Sequence, residues 1–567
     1  MAAPLHKVRS LRGLGGTLVA LLILLPVLFG LGHSVMAGFG HLPVLGVKGP
    51  SLSPWQTLLA QPGLWRSVIL SLWTGMAATV LSLILAFGAI AALQGHAPRL
   101  RRVLAPLLAV PHAALAIGLA FVIAPSGWIA RLLAPALDWS RPPDVATLGD
   151  PWGLALILGL ILKETPFLIA ILLAASSQIP LRAQMAAARA LGYGRAAVWL
   201  WLLVPQLVRL IRLPVLVVLA FSVSVVDMAL ILGPSNPPTL SVTVSRLFTD
   251  PDLHAMLPAS AGALMQLGLT ALAAAILWAA MRLAGWCGRA ILRRGARWQG
   301  LDRALAAPVA MLALLLVLAG LAAVTLAVWS IAFSWRWPDL WPDRLSLATW
   351  QRQSAWLPAA QTALWIALAA TAIAMLLAVL WLEGSDRADR PGLQGWMRAA
   401  VALPLVLPQL SILIGLSGLL LRADLSPMAA VIWGHVLFVF PYLVIALAGA
   451  WAALDPQLTR TAASLGVGPW GRLWRVKLPV LIAPLSLAAA LGFAVSIAQY
   501  LPTLFLGGGR VATLTTEAVA LSSGSDRRVA AVHATLQAGL PWLIYLAALI
   551  LPAFLHRDRR ALKGEPG

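Results

Sequence analysis

Charge is what this sequence has least of. Its 567 residues include 41 basic and 19 acidic side chains, so only 11% are charged, while 60% are hydrophobic. A soluble globule carries about a quarter charged residues, because its surface must face water. A chain of this length and composition cannot cover itself with a water-compatible surface, which excludes a soluble enzyme or binding module. A bilayer can replace water over most of the exterior.

Other absences narrow the reading. The one cysteine, Cys287, excludes an intramolecular disulfide and is expected in a basic loop. No Gly-x-x-x-x-Gly-Lys-Ser/Thr phosphate loop exists. Gly507-Gly508-Gly509-Arg510 lacks the Lys-Ser/Thr pair, so any ATP that drives this protein is bound by another chain. No metal-ligand cluster or nucleophile–base constellation stands out. The net charge of +22 does not point to nucleic acid, because the basic residues fall in short clusters between apolar runs and form no stripe.

Long apolar runs are what the sequence has in plenty. They predict about twelve membrane-spanning helices, near 14–38, 67–93, 103–124, 153–176, 209–232 and 257–284, then 305–334, 357–382, 399–421, 427–451, 478–505 and 534–555. The first follows Lys7, Arg9 and Arg12, as a signal peptide would, but its length favours a retained span. Loops on the amino-terminal side hold 28 Lys/Arg against 7 Asp/Glu, whereas the opposite loops hold 12 against 10. This bias predicts cytoplasmic termini, and it puts the 177–208 and 452–477 loops on the same side. The 25 tryptophans are expected mostly at the interfaces.

The apolar pattern repeats itself. Pro111-His112-Ala113-Ala114-Leu115-Ala116-Ile117-Gly118-Leu119 lines up with Pro408-Gln409-Leu410-Ser411-Ile412-Leu413-Ile414-Gly415-Leu416. Phe221-Ser222-Val223-Ser224-Val225-Val226-Asp227 lines up with Phe493-Ala494-Val495-Ser496-Ile497-Ala498-Gln499, and each runs into a Gly-rich segment ending at Thr239-Leu240 or Thr513-Leu514. Six spans per copy is an even number, so both copies face the same way, with any pathway between them. The expected division is 1–290, a basic linker at 291–304, and 305–567.

The loop between the fourth and fifth spans of each copy is the most informative segment. Residues 180–205 contain Ala186-Ala187-Ala188-Arg189-Ala190-Leu191-Gly192, then nine residues, then Leu202-Leu203-Val204-Pro205. Residues 454–479 contain Arg460-Thr461-Ala462-Ala463-Ser464-Leu465-Gly466, then nine, then Val476-Lys477-Leu478-Pro479. A short Ala-rich helix, a Gly able to reverse the chain and a Pro before the next span make a compact knob.

These segments resemble the EAA loop of binding-protein-dependent ABC importer permeases, whose pattern is Glu-Ala-Ala, three residues, Gly, nine residues, Ile-x-Leu-Pro. The Glu position holds Ala186 in one copy and Arg460 in the other. Two such loops in one chain resemble the fused permeases of thiamine and ferric-iron importers. The strongest likeness is to the Ynj-type inner-membrane permease, carried by Ser224 to Asp227, Gly233 to Leu240, Ile497 to Leu504 and Thr513 to Gly524. The resemblance implies an all-α permease of two parallel six-helix repeats, like those of type I ABC importers, in a bacterial inner membrane. It implies no chemistry of its own, no bound cofactor, two cytoplasmic ATPase subunits that bind ATP, and a periplasmic solute-binding protein. The two loops would be the coupling sites on the ATPases.

Polar residues at membrane depth form the second candidate set. A buried charge is costly and marks an ion pair or a functional path. Lys163 and Glu164 are adjacent on a helix and point about 100° apart, so they cannot pair with each other, and Asp227 is the expected partner of Lys163. The three residues are open to a packing pair, a substrate-path role or a proton relay. His112, Gln409 and His435 are expected mainly as interhelical hydrogen-bond partners, with ligand contact as the alternative, and Gln499 stands where the first copy has Asp227. Two rival functions remain at this stage. One is a proton-coupled secondary transporter using Glu164 and Asp227, and the other is a membrane-embedded lipid enzyme.

Overall fold

The computed structural model describes residues 15–295, 297–387, 396–420, 425–524 and 526–555, without the side chains of 101, 396–399 and 419. Both expected cytoplasmic termini, the clustered charges at 388–395 and Ala296 of the expected linker lie outside the described residues. Leu- and Ala-rich runs form helices here because lipid leaves each backbone N–H and C=O no partner outside its own segment. Among the described residues nine helices are long and apolar enough to span a membrane, or twelve if each of three bent pairs is one span. In order, spans 1 to 4 are Gly15–Gly38, Leu64–Ala92, His112–Leu133 and Leu154–Ser176, span 5 is the bent pair Arg195–Leu210 and Arg212–Ser224, and span 6 is Leu253–Arg293. Spans 7 and 8 are Gln299–Ile331 and Gln353–Arg387, span 9 the bent pair Ala400–Val406 and Gln409–Gly418, span 10 Pro427–Ala452, span 11 the bent pair Pro469–Val480 and Ile482–Ile497, and span 12 Arg527–Leu555. Every apolar run singled out in the sequence overlaps one of them, the run at 103–124 only from His112 onward, because the helix breaks at Val110–Pro111. The fold is an all-α membrane bundle, with one short antiparallel strand pair, Ala332–Ser334 with Arg344–Leu345, among the described residues.

The two sets of six are interlocked. Span 1 packs most extensively on the Gln409–Leu420 helix of span 9, and span 7 packs in the same way on the His112–Ile123 helix of span 3. The glycines that align in sequence make both crossings possible. A Cβ on Gly118 would stand 2.6 Å from the Ala322 carbonyl oxygen, and one on Gly415 would overlap the Gly30 carbonyl oxygen. Gly30 in turn lies against Ile412, where an added Cβ would be 2.6 Å from its carbonyl oxygen. Small residues at such sites let backbones approach closely enough for dispersion contacts to hold the helices together in lipid.

Spans 3 and 9 are broken where the sequences align. The chain is extended at Val110 and Pro111, between the helices Ala97–Ala109 and His112–Ile123. The matching break in span 9, before Gln409, turns the axis by 98°. Spans 5 and 11 bend by 79° at their knob ends and break again at Val225–Val226 and Gln499–Tyr500. Each of these last breaks is braced by the residue that follows the aligned Thr-Leu. Ser241 Oγ donates to the Val225 carbonyl at 2.7 Å, and Thr515 Oγ1 donates to the Ile497 carbonyl. Cys287 lies, exposed, in the Met256–Arg293 helix and not in a loop, because that helix runs on past its apolar core.

Candidate functional site

The two knobs are built alike. Helix Leu181–Ala190 ends at Gly192, whose φ is +83°, and helix Pro456–Ser464 ends at Gly466, whose φ is +80°. In the first, Gly192 N–H donates to Arg189 C=O at 2.9 Å and Tyr193 N–H to Ala188 C=O at 3.2 Å. In the second, Gly466 N–H donates to Ala463 C=O and Val467 N–H to Ala462 C=O, both at 3.0 Å. Both are Schellman closures, which require a left-handed residue that glycine adopts without a Cβ penalty. The helix then reverses into a second short one, Arg195–Val198 or Pro469–Arg472, that runs on to Pro205 or Pro479. Ala186, Ala187, Arg460 and Thr461 are exposed, Ala188 is half-buried and Ala462 buried. At the two tips Leu191 and Leu465 are 66% and 77% exposed.

The knobs differ in what holds them. The segment joining the two halves is draped on the first. Asp302 accepts from the backbone N–H groups of Arg195 at 3.0 Å and Ala196 at 2.7 Å, capping that short helix. Gly194 N–H donates to the Arg297 carbonyl at 3.0 Å, and Gln299 Nε2 donates to the Gly192 carbonyl at 2.8 Å. In the second knob the support is ionic. Lys477 binds both Glu383, at 2.7 Å, and Asp386, while Arg387 pairs with Glu383 at 2.7 Å and donates to the Pro469 carbonyl at 3.0 Å. The first knob reaches its own span 2 through a carbonyl instead of a carboxylate, Arg195 donating to the Ala92 carbonyl at 2.6 Å. Neither the Asp302 cap nor the Glu383–Lys477 cluster was singled out from sequence. The acids placed close before Arg387 were the available signal for the second. Asp302→Ala should remove a cap worth about 0.5–2 kcal/mol. Hydrogen exchange should then speed up at 192–198 and stay unchanged at 466–472.

The polar residues at membrane depth gather at the helix breaks. His112 is the first residue of its helix and lies 3.6 Å from Glu164 Oε1 and 4.5 Å, ring to ring, from Phe221. Asp227 opens the helix Asp227–Leu232 and is buried. In the second half Gln409 Nε2 donates to Gln499 Oε1 at 3.4 Å. The halves meet close by, since helix Asp227–Leu232 packs on helix Leu514–Ser522 of the second half. Interrupted spans that bring polar groups and free backbone to the bundle midplane are the usual form of a translocation site.

Lys163 does not pair with Asp227, contrary to the expectation from sequence. Its Nζ donates to the carbonyls of Leu107 at 3.3 Å, Leu108 at 3.2 Å and Val110 at 2.6 Å. These are carbonyls left free where helix Ala97–Ala109 stops short of Pro111, and a cation at a helix C-terminus meets both their lone pairs and the dipole. His435 is a packing residue, with one ring nitrogen 2.8 Å from Ser496 Oγ and the other 2.9 Å from Thr503 Oγ1. Among the described residues no group of three or more His, Cys, Asp or Glu side chains is placed to hold a metal.

Comparison with known proteins decides the class. The chain is 35% identical over 522 residues to the inner membrane ABC transporter permease protein YnjC of Escherichia coli (strain K12), covering 90% of this chain and 93% of that one. The chain belongs to the ABC transporter permeases. A second relative is the molybdenum transport system permease protein ModB of Mycobacterium tuberculosis (strain H37Rv), at 32% identity over 206 residues. That match covers 34% of this chain and 75% of ModB, and ModB of Mycobacterium bovis matches to the same extent. No family model matches the chain. The match to a permease about half as long as this one fits a chain in which knobs and broken spans occur twice. As an ABC permease of the inner membrane, the protein spans the bilayer several times and serves transport, which sets aside both the proton-coupled transporter and the lipid enzyme.

Proposed function

We propose that this permease is the complete membrane subunit of an importer, with both termini in the cytoplasm. A periplasmic binding protein delivers the solute, and two ATPase subunits, which carry the ATP, grip the two knobs. The division into repeats at 1–290 and 305–567, joined by 291–304, belongs to the same reading. The observation that carries it is the pair of Schellman-closed knobs, each with an exposed leucine at its tip and each running into a span that breaks again at Val225–Val226 or Gln499–Tyr500. ATPase closure would push both knobs together and tilt the half-helices that carry Asp227 and Gln499. The space bounded by His112, Glu164, Asp227, Gln409 and Gln499 would then open to one side of the membrane and afterwards to the other. The basic bias of the knob-side loops supports cytoplasmic knobs.

The test is Gly192→Val and Gly466→Val. A β-branched residue at positive φ should cost about 1–3 kcal/mol of strain and tilt the knob, so ATPase co-purification and ATP-dependent uptake fall while insertion stays normal. The strain should act at both sites, since φ is +83° at Gly192 and +80° at Gly466. Full association and full uptake in both variants would refute the coupling role. Single cysteines at Ala186 or Ala463 should resist an impermeant thiol reagent applied to intact cells. Labelling from outside would contradict the orientation.

A further inference from the structure

At the end of the bundle opposite the knobs lies a cavity of about 610 Å³. Its walls come from the end of span 3 (Ser126, Arg131), the end of span 7 and its strand pair (Trp329, Phe333, Trp335) and the start of span 12 (Asp526, Arg527, Arg528). Three guanidinium groups line it, and one carboxylate. The three are not equivalent. Arg528 is neutralised by Asp526, with both contacts at 2.9 Å. Arg131 is spent on structure, since it donates to the carbonyls of Ser126 at 3.0 Å, Arg336 at 2.5 Å and Asp339 at 2.6 Å, and lies against the rings of Trp335 and Trp337.

Arg527 is the exception. Among the described residues it forms no ion pair. Among the described residues its one hydrogen bond runs from Nη2 to Ser126 Oγ at 2.8 Å, and its guanidinium packs 5.6 Å from the ring of Phe121 and 5.3 Å from that of Trp329. Arg131 lines the same cavity, so a second guanidinium shares the space. Arg527 also lines a second, deeper cavity of about 150 Å³, whose other walls include Ile117, Phe121 and Ile231. A partly buried cation with aromatic walls, further guanidinium groups in the same cavity and no carboxylate of its own, Asp526 being held by Arg528, is stabilised by an anion that fills the cavity. A guanidinium with free donors suits a planar or tetrahedral oxyanion best.

We propose that this cavity binds an anionic group of the phosphate or carboxylate class, held by Arg527, with the indole and phenyl walls taking an apolar portion of the same molecule. The group could belong to a dissolved solute or to the headgroup of an anionic lipid, and the chemistry of recognition is the same. The inference does not depend on ATPase coupling and stands or falls separately from it.

The experiment uses the full chain purified in a neutral detergent. Thermal unfolding is followed with inorganic phosphate against chloride at equal ionic strength, and lipid retention by native mass spectrometry from nanodiscs of phosphatidylcholine with or without phosphatidylglycerol. The expected result is stabilisation by phosphate over chloride, or selective retention of phosphatidylglycerol. The first identifies a solute site and the second a lipid site. R527Q should weaken the response roughly ten- to a hundredfold, the range for losing a charge-assisted hydrogen bond. R527K, which keeps the charge and is expected to fold, should fall between, and R344Q, an exposed arginine at the same end, should match the wild type. A wild-type chain indifferent to both probes overturns the proposal, as does an R527Q chain that responds as the wild type does.

Discussion

Lys163→Met should unfold the bundle far more readily than Asp227→Asn does. Lys163 is buried among three backbone carbonyls at the end of a broken helix, and methionine removes every donor while keeping most of the volume. Orphaning such carbonyls in a dry interior costs about 1–3 kcal/mol each, and breaking a buried charged contact costs about 3–5 kcal/mol in all. Thermal unfolding of detergent-solubilised protein should therefore show a large loss for Lys163→Met. Asp227→Asn should leave stability close to the wild type, because Asp227 holds no ion pair with Lys163. Equal losses in the two variants would restore the ion pair that the sequence suggested and contradict the capping role.

Gly415→Val should prevent the two halves from locking together. Even a Cβ at 415 would overlap the Gly30 carbonyl, and that backbone lies in span 1, fixed in turn against Ile412. Overpacking by a single methylene costs about 1–3 kcal/mol in a tight core, and an isopropyl group between two backbones should exceed that. The yield of monodisperse protein on fluorescence size-exclusion chromatography should collapse. Gly118→Val, at the matching crossing with Ala322, should follow it. Gly320→Ala in span 7 should be harmless, since nothing lies within 4 Å of the added Cβ. Normal yield from Gly415→Val would mean that the crossing is looser than described.

Most of the architecture was legible because hydropathy reports membrane depth directly. All twelve apolar runs became spans, and the glycines at 192 and 466 have the positive φ that their place after an Ala-rich helix implied. Three things were not legible. Helix breaks inside spans 3, 5, 9 and 11 are hidden by continuous apolarity, although Pro111 and Pro408 marked two of them. The partner of Lys163 was missed because sequence shows side-chain charges and not free carbonyls, which exist only once a helix has stopped. The exchange of spans 1 and 7 between halves was invisible too, since a glycine announces close approach without saying to what. The aligned Gly118 and Gly415 nonetheless marked both crossings.

The polar midplane shows the same division. Sequence pointed to His112, Glu164, Asp227, Gln409 and Gln499 one by one. The pairing of His112 with Glu164, and of Gln409 with Gln499, comes from helix breaks that turn separate segments toward one place. The two halves are chemically unlike here, acidic and imidazole-bearing in the first, amide-bearing in the second. A symmetrical half-size permease could not offer that asymmetry, and fusion of two copies in one chain allows it.

The central claim is that one chain supplies two ATPase docking sites. The most direct test is the native mass of the complex formed when this chain is co-expressed with the ATPase of its own transport system. The account predicts one permease chain with two ATPase copies, one copy with either Gly→Val knob variant and none with both changed. A complex holding a single ATPase on the wild-type chain, or two on the doubly changed chain, would contradict it.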